Sequence, residues 1–190
     1  MNNTWSITLI IALIVSFFST ISSAKNFAGE NIPEDMQYAG KKLQLNGVGQ
    51  RSKLFMNLYI GALYLESKSQ DGKKIITDDA PMAIRLAITS PLITTDKMKE
   101  ATIEGFKNST KGNINPIKPQ IDELLATFDK GVSSGDVFEL INTPGSGVHV
   151  IRNGVRVTVI RSLAFKQALF GIWLSKKPVQ NSLKRRMLGL

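Results

Sequence analysis

Arg51 is the residue whose surroundings best suit recognition of a small anion. It follows the glycine-rich run Gly47–Gly49 and precedes the most apolar stretch after the first 24 residues, Lys53 to Glu66. A guanidinium at the end of an apolar layer can form two parallel hydrogen bonds to a carboxylate or phenolate, while apolar side chains surround the rest of the ligand. An ordinary strand-end arginine would fit the same position, so the surrounding residues alone leave both interpretations open.

Two other motifs resemble reactive sites but lack essential parts. The run from Gly47 to Ser52 is one glycine short of a dinucleotide-binding fingerprint, and a strand rather than a helix follows it. Ser146 lies between two glycines at the wrong spacing for a nucleophile elbow. Nearby, His149 has only Glu139 as an acidic neighbour in the C-terminal region. We therefore predict that His149 is a structural residue of a strand.

Arg85 is a further candidate because small residues surround it on a predicted strand. Its neighbours on the same face are Ala83, Ala87 and Thr89. This pattern favours a solvent-facing arginine, with the border of a cleft as the alternative.

Composition excludes several classes of chemistry. The chain has 190 residues, no cysteine and one histidine, so disulfides, iron–sulfur clusters, thiolate zinc sites and cysteine nucleophiles are excluded. An apolar share of 43% and a charged share of 21% are those of an ordinary globular domain. We expect one domain and neither a cofactor nor a metal.

The periodicity of apolar residues predicts an α+β fold with an antiparallel sheet covered on one face by helices. Asn153-Gly154 is typical of a two-residue hairpin turn, and Thr94 or Thr95 and Ser162 suit helix N-caps. The predicted strands are Lys41–Gly47, Lys53–Glu66, Met82–Thr89, Asp136–Asn142, Val148–Arg152 and Val155–Ile160. The predicted helices are Asp96–Ser109, a helix after Pro119 that carries Leu124, Leu125 and Phe128, one that starts after Ser162, and Val179–Leu188. Residues 25–40 are predicted to be an irregular lead-in, and residues 41–190 the folded domain.

The first 24 residues have the pattern of a secretory signal peptide. They contain no charged side chain, include a long apolar run and end in Ser22-Ser23-Ala24, which predicts cleavage after Ala24 and a periplasmic product. The segment lacks the usual basic start, and an uncleaved membrane anchor is the alternative.

Positive charge is concentrated in the C-terminal quarter. The formal net charge is +9, and no acidic residue follows Glu139. This pattern predicts a basic surface that would attract anions or an anionic membrane. Nucleic acid is not expected as a partner, because no aromatic residues interleave with these charges.

Several short motifs and their order along the chain resemble those of the chalcone isomerase superfamily. The pieces are Gly47–Arg51, Lys53, Phe55, Ala62–Glu66, Gly135-Asp136, Pro144–Val148, Asn153-Gly154, Ile172–Leu174 and Lys177-Pro178. They span most of Lys41 to Gly189 and are most similar to the exported bacterial chalcone isomerase-like proteins. The resemblance implies an open-faced β-sandwich, in which a curved antiparallel sheet is covered by helices with a cleft between the layers.

The resemblance also implies roles for individual residues. Arg51 matches the arginine that binds the substrate phenolate in the plant enzymes and a fatty acid carboxylate in non-catalytic relatives. Tyr59 and Ile172 align with positions where the enzymes carry hydroxyl residues, and Tyr59 is a second candidate donor to a ligand.

Three functions follow from these observations. The first is a non-catalytic exported protein that binds a small apolar anion such as a fatty acid through Arg51 and Tyr59. The second is an intramolecular lyase or isomerase of the chalcone isomerase type, and the third is an envelope interaction protein that uses its basic C-terminal face.

Overall fold

The fold is a long antiparallel meander with helices on one face. The computed structural model describes residues 24–190, so the predicted leader lies outside the described residues except for Ala24. Within that range the strands are β1 (Ala24–Phe27), β2 (Glu30–Pro33), β3 (Asp35–Tyr38), β4 (Lys41–Lys53), β5 (Met56–Leu65), β6 (Met82–Ile88), β7 (Val137–Thr143), β8 (Gly147–Arg152) and β9 (Val155–Ile160). Strands β3 to β9 pair in chain order into one curled sheet, and β1 and β2 form a separate hairpin.

The helices are α1 (Gly72–Thr77), α2 (Thr95–Ser109), α3 (Lys118–Ala126), α4 (Leu163–Leu174) and α5 (Asn181–Met187). The predicted caps are confirmed, because the side chain of Thr94 accepts from Lys97 N and that of Ser162 accepts from Phe165 N. Helix α1 lies between the predicted strands Lys53–Glu66 and Met82–Thr89, where no helix was predicted. Among residues 24–190, no helix is long and apolar enough to cross a bilayer.

Each face of the sheet packs against its own set of apolar side chains. On β6 the alternate residues Ile84 and Leu86 face the helices, whereas Ala83 and Ala87 belong to a second cluster on the opposite face. This alternation is the period of two that places successive side chains on opposite faces of a strand. The predicted fold class, an open-faced sandwich of curved sheet and helices, is confirmed.

The prediction that residues 25–40 are irregular is wrong. They contain most of the β1–β2 hairpin and all of β3, which extends the sheet beside β4. Ile32 is buried in the second cluster, and the hydroxyl of Tyr64 donates to the carbonyl of Pro33 at 2.9 Å. The segment therefore covers part of the sheet face that the helices leave open.

The glycine run before Arg51, a pattern typical of a turn or a bulge, is a close-packing site inside β4 and does not form a turn. The strand continues through it with a register shift between Leu45 and Gly47. A Cβ atom on Gly47 would lie 2.1 Å from the carbonyl oxygen of Arg186 in α5. Glycine is required here because the backbones of β4 and α5 nearly touch.

Two further expectations, one about a hairpin turn and one about a strand, had different outcomes. The turn at Asn153-Gly154 is confirmed, with Arg152 paired to Val155. The predicted single strand from Lys53 to Glu66 is wrong at its start, because a two-residue turn at Leu54-Phe55 separates Lys53 from β5.

The basic residues of the C-terminal quarter do not form one continuous face. Lys166 is only 1% exposed, and Arg152 pairs with Asp136 at 2.7 Å. Arg156 lies on β9, at one edge of the sheet, whereas Arg186 lies on α5, which packs against β4 near the other edge. Lys166 and Arg152 therefore do not contribute to an exposed basic surface, and the basic interaction face stays a prediction that rests on the other C-terminal lysines and arginines.

Candidate functional site

A cavity of about 630 Å³ lies between the sheet and the helices. Its volume falls in the range that small-molecule sites occupy. Apolar side chains from β5 to β7 and from α2 to α4 form most of its wall, including Leu58, Leu86, Phe138, Leu140, Met98, Leu124, Phe128, Leu169 and Ile172. The helices approach closely above it, since a Cβ atom on Gly105 of α2 would lie 2.8 Å from the side chain of Ile172 in α4.

Arg51 lines this cavity and is held in place by Gln180. Its Nη1 donates to the carbonyl of Ser52 at 2.6 Å and to Oε1 of Gln180 at 3.0 Å. The same oxygen of Gln180 accepts from the backbone N of Ser52 at 2.9 Å. The hydrogen bonds of Arg51 within the described chain use Nη1 alone, so Nε and Nη2 retain their donors for a ligand.

Tyr59 stands directly opposite Arg51 in the pairing of β4 with β5. Residues that face each other across an antiparallel pair share one side of the sheet, and both side chains line the cavity. The Tyr59 hydroxyl accepts a hydrogen bond from Nε1 of Trp173 at 3.0 Å. Its own hydrogen is therefore free to be donated.

Burial keeps the Tyr59 phenol neutral. Desolvation raises its pKa from 10.0 to about 12, although the hydrogen bond from Trp173 and the charge of Arg51 act in the opposite direction. At neutral pH the cavity thus presents a guanidinium and a neutral O–H at the same end. Both groups are donors, and together they suit a carboxylate, a phenolate or a polarised carbonyl.

The structure brings the two predicted ligand-binding residues together and adds two that sequence reasoning did not assign. Gln180 orients Arg51 and Trp173 orients Tyr59. Trp173 belongs to one of the motifs that carried the resemblance, so a signal existed for it. Nothing in the sequence connects Gln180 to Arg51, because 129 positions separate them.

Arg85 does not border the cavity, and it does not face solvent as predicted. It lies opposite Glu139 in the β6–β7 pairing, with Nη1 to Oε1 at 2.7 Å, and both side chains are less than one-fifth exposed. The pair lies on the sheet face away from the helices, among the residues of the second cluster.

His149 is also on that face, and it joins two segments of the chain. Its Nδ1 contacts the hydroxyl of Tyr38 at 2.8 Å, and its Nε2 contacts Oγ of Ser146 at 2.9 Å. Burial lowers its pKa, and the charges of Arg156 and Arg161 act in the same direction. We therefore interpret His149 as a neutral imidazole with a structural role, which links the hydroxyls of Tyr38 and Ser146.

Comparisons with known proteins identify the family. A sequence profile described as chalcone isomerase-like matches residues 24–189. The chain belongs to the chalcone isomerase-like family, which confirms the resemblance drawn from its motifs.

A solved structure shows the same fold in a distant protein. It is a fatty-acid binding protein from Arabidopsis thaliana, which matches with a TM-score of 0.67 and 15% sequence identity over 88% of this chain and 95% of that one. No curated protein matches the chain.

Proposed function

We propose that this protein is a non-catalytic binding protein for a small apolar anion such as a fatty acid. The observation that carries the proposal is the pair of neighbouring donors, Arg51 and Tyr59, on the wall of a cavity that is otherwise mostly apolar. A carboxylate would bind the free edge of the guanidinium and the phenol hydrogen, and the hydrocarbon chain would occupy the apolar space. The fatty-acid binding function of the structurally similar Arabidopsis protein supports the same interpretation.

The cavity wall argues against ring-closing catalysis. Ile172, which aligns with a hydroxyl residue of the plant enzymes, lines the cavity with hydrocarbon. Thr102 also lines it, but its hydroxyl donates to the carbonyl of Met98 at 2.7 Å. We therefore expect no closure of a chalcone ring above the uncatalysed rate.

The test is to measure palmitate affinity for the wild type and for Arg51→Ala. Removing one partner of a desolvated charge pair costs binding about 2–5 kcal/mol, so we expect at least about tenfold weaker binding. Arg51→Lys should recover only part of the loss, because an ammonium cannot reproduce the planar pair of donors. Trp173 is the only tryptophan in residues 24–190, and its fluorescence reports on the cavity directly.

Arg156→Ala is the matched control, since Arg156 is exposed on β9 and outside the cavity. It should bind palmitate like the wild type. Arg51→Ala should remain folded and lose about 1 kcal/mol of stability, because Gln180 keeps its hydrogen bond from Ser52. Equal palmitate affinity for Arg51→Ala and the wild type would remove Arg51 from the site. Chalcone turnover that Arg51→Ala abolishes would establish an isomerase instead.

We further propose that the protein is exported to the periplasm. This proposal is supported by the uncharged apolar leader and by Ser22-Ser23-Ala24 at its end.

A further inference from the structure

The turn between β4 and β5 projects large apolar side chains into solvent. Phe55 is fully exposed, Leu54 is 77% exposed and Met56 is 40% exposed. With Lys53 these residues form the hairpin tip, residues 53–56. Isolated exposed apolar residues are common on proteins, but three in succession at the end of a hairpin form a continuous apolar protrusion.

The backbone of the hairpin tip is strained by the residues it carries. Leu54 and Phe55 have φ values of 48° and 66°, in the left-handed region that bulky residues disfavour. The β8–β9 hairpin has the same two-residue length and uses Asn153 and Gly154 at φ values of 51° and 78°, the residues that such a turn prefers. The β8–β9 hairpin therefore has turn residues that favour positive φ values, whereas the β4–β5 hairpin has bulky apolar residues for which these φ values are unfavourable.

The hairpin tip stands at the opening of the cavity. Lys53, Leu54 and Met56 contribute to the cavity wall, as do Leu92 and Lys97, both of which are exposed. Neither lysine forms an ion pair with another described residue. Apolar side chains and both lysines therefore lie at the entrance, while Glu100 and Glu104 of α2 also line the cavity.

We propose that the hairpin tip inserts into the surface of an anionic lipid bilayer and thereby places the cavity opening at the membrane. Leu54 and Phe55 would enter the apolar boundary of the lipid, and Lys53 and Lys97 would contact anionic headgroups. The formal net charge of +9 favours approach to such a surface. A second copy or another protein fits less well, because a narrow protrusion cannot supply the roughly 800 Å² per partner of a stable interface.

Membrane contact would give an apolar ligand a path between bilayer and cavity without crossing water. This role in ligand exchange rests on the proposed function, whereas the contact itself does not. The two can be tested separately.

The experiment measures partition onto vesicles of equal parts phosphatidylglycerol and phosphatidylcholine. The wild type is compared with Leu54→Asn/Phe55→Gly, which installs the turn residues of the β8–β9 hairpin, and every variant is studied in the full chain in the same processed form. Burial of even one of the two side chains changes an equilibrium by about tenfold, so the double variant should partition at least about tenfold more weakly. Its melting temperature should equal or exceed that of the wild type, which excludes misfolding as the cause.

Three further variants sharpen the result. Val155→Ser removes an exposed apolar side chain on β9 and should leave partition unchanged. Lys53→Ser should weaken partition about fivefold on these vesicles and not at all on pure phosphatidylcholine. Arg51→Ala should partition like the wild type while it binds palmitate weakly, so failure of either proposal is seen independently of the other.

Equal partition of the wild type and Leu54→Asn/Phe55→Gly would overturn the proposal. A wild-type dimer in sedimentation equilibrium without lipid, if the double variant does not form it, would also overturn the proposal. The hairpin tip would then contact a second copy of the chain and not a membrane.

Discussion

Lys166 is a buried lysine whose titration should be visible in the stability of the fold. It lies in α4 and is only 1% exposed. Its Nζ donates to the carbonyl oxygens of Ile75 at 2.8 Å, Ile76 at 2.9 Å and Asp78 at 2.6 Å, at the C-terminal end of α1. Burial lowers its pKa from 10.5 to about 8, although the carboxylates of Asp79 and Asp78 partly oppose the shift.

The lowered pKa determines the sign of the pH dependence. Between about pH 8 and 10.5 the unfolded chain holds a proton that the folded chain has released, so stability rises with pH in this window. The difference of about 2.5 between the two pKa values, at about 1.4 kcal/mol per pKa unit, sets an upper limit of about 3.5 kcal/mol on the change in the free energy of unfolding. Below pH 8 both states are protonated, and this contribution is constant.

The perturbation is Lys166→Met, which keeps an unbranched side chain but cannot titrate. Urea unfolding of both proteins, followed by circular dichroism from pH 6 to 10.5, gives the difference in their free energies of unfolding. That difference should be level up to about pH 8 and then move by about 2–3 kcal/mol in favour of the wild type. Tyr59 and Tyr64 titrate in both proteins, and their contributions cancel.

Lys130→Met is the control, because Lys130 is exposed. This comparison separates the effect of burial at Lys166 from that of replacing any lysine with methionine. A level difference for Lys166→Met across the whole range would refute the reasoning and show that the three carbonyl contacts hold the ammonium charged in the folded protein.

Two further predictions concern the core and the leader. Phe128 is 3% exposed and packs edge-to-face on Phe138 at 5.4 Å, so Phe128→Ala should lower the free energy of unfolding by about 3–5 kcal/mol in urea titrations; a loss below about 1 kcal/mol would mean that Phe128 is not part of the core. N-terminal sequencing of the exported protein should begin at Lys25, whereas a product that starts at Met1 and stays with the membrane fraction would indicate an anchor.

Features that depend on local chemistry were predictable from the sequence. Asn153-Gly154 predicted its hairpin because few residue pairs tolerate two positive φ values. Thr94 and Ser162 predicted helix starts because a side-chain oxygen satisfies a free backbone N–H. Arg51 and Tyr59 emerged through their positions in family motifs, and the structure places both at one cavity.

Features that depend on distant contacts were not predictable. Leu54-Phe55 lacks every turn signal, so Lys53 was assigned to the following strand. Residues 25–40 look irregular in the sequence because each of their strands is short; β1 and β2 form a separate hairpin, whose Ile32 is buried against the sheet, and β3 adds to the edge of the sheet beside β4. Lys166 was counted as a surface charge, because its carbonyl partners lie about 90 positions earlier in the chain.

The docking of α5 has a consequence for the order in which the protein folds. Strands β3 to β9 pair with their chain neighbours. Pairings across short turns, such as β4–β5 and β8–β9, form without closure of long loops, whereas β6 and β7 are separated by the segment that contains α2 and α3. The contact between α5 and β4 is different, since Asn46 donates to the carbonyl of Met187 across 141 positions. Gln180 lies immediately before α5 and reaches Arg51 only when the helix is in place. We expect the short hairpins to form first and the hydrogen bond between Arg51 and Gln180 to form last.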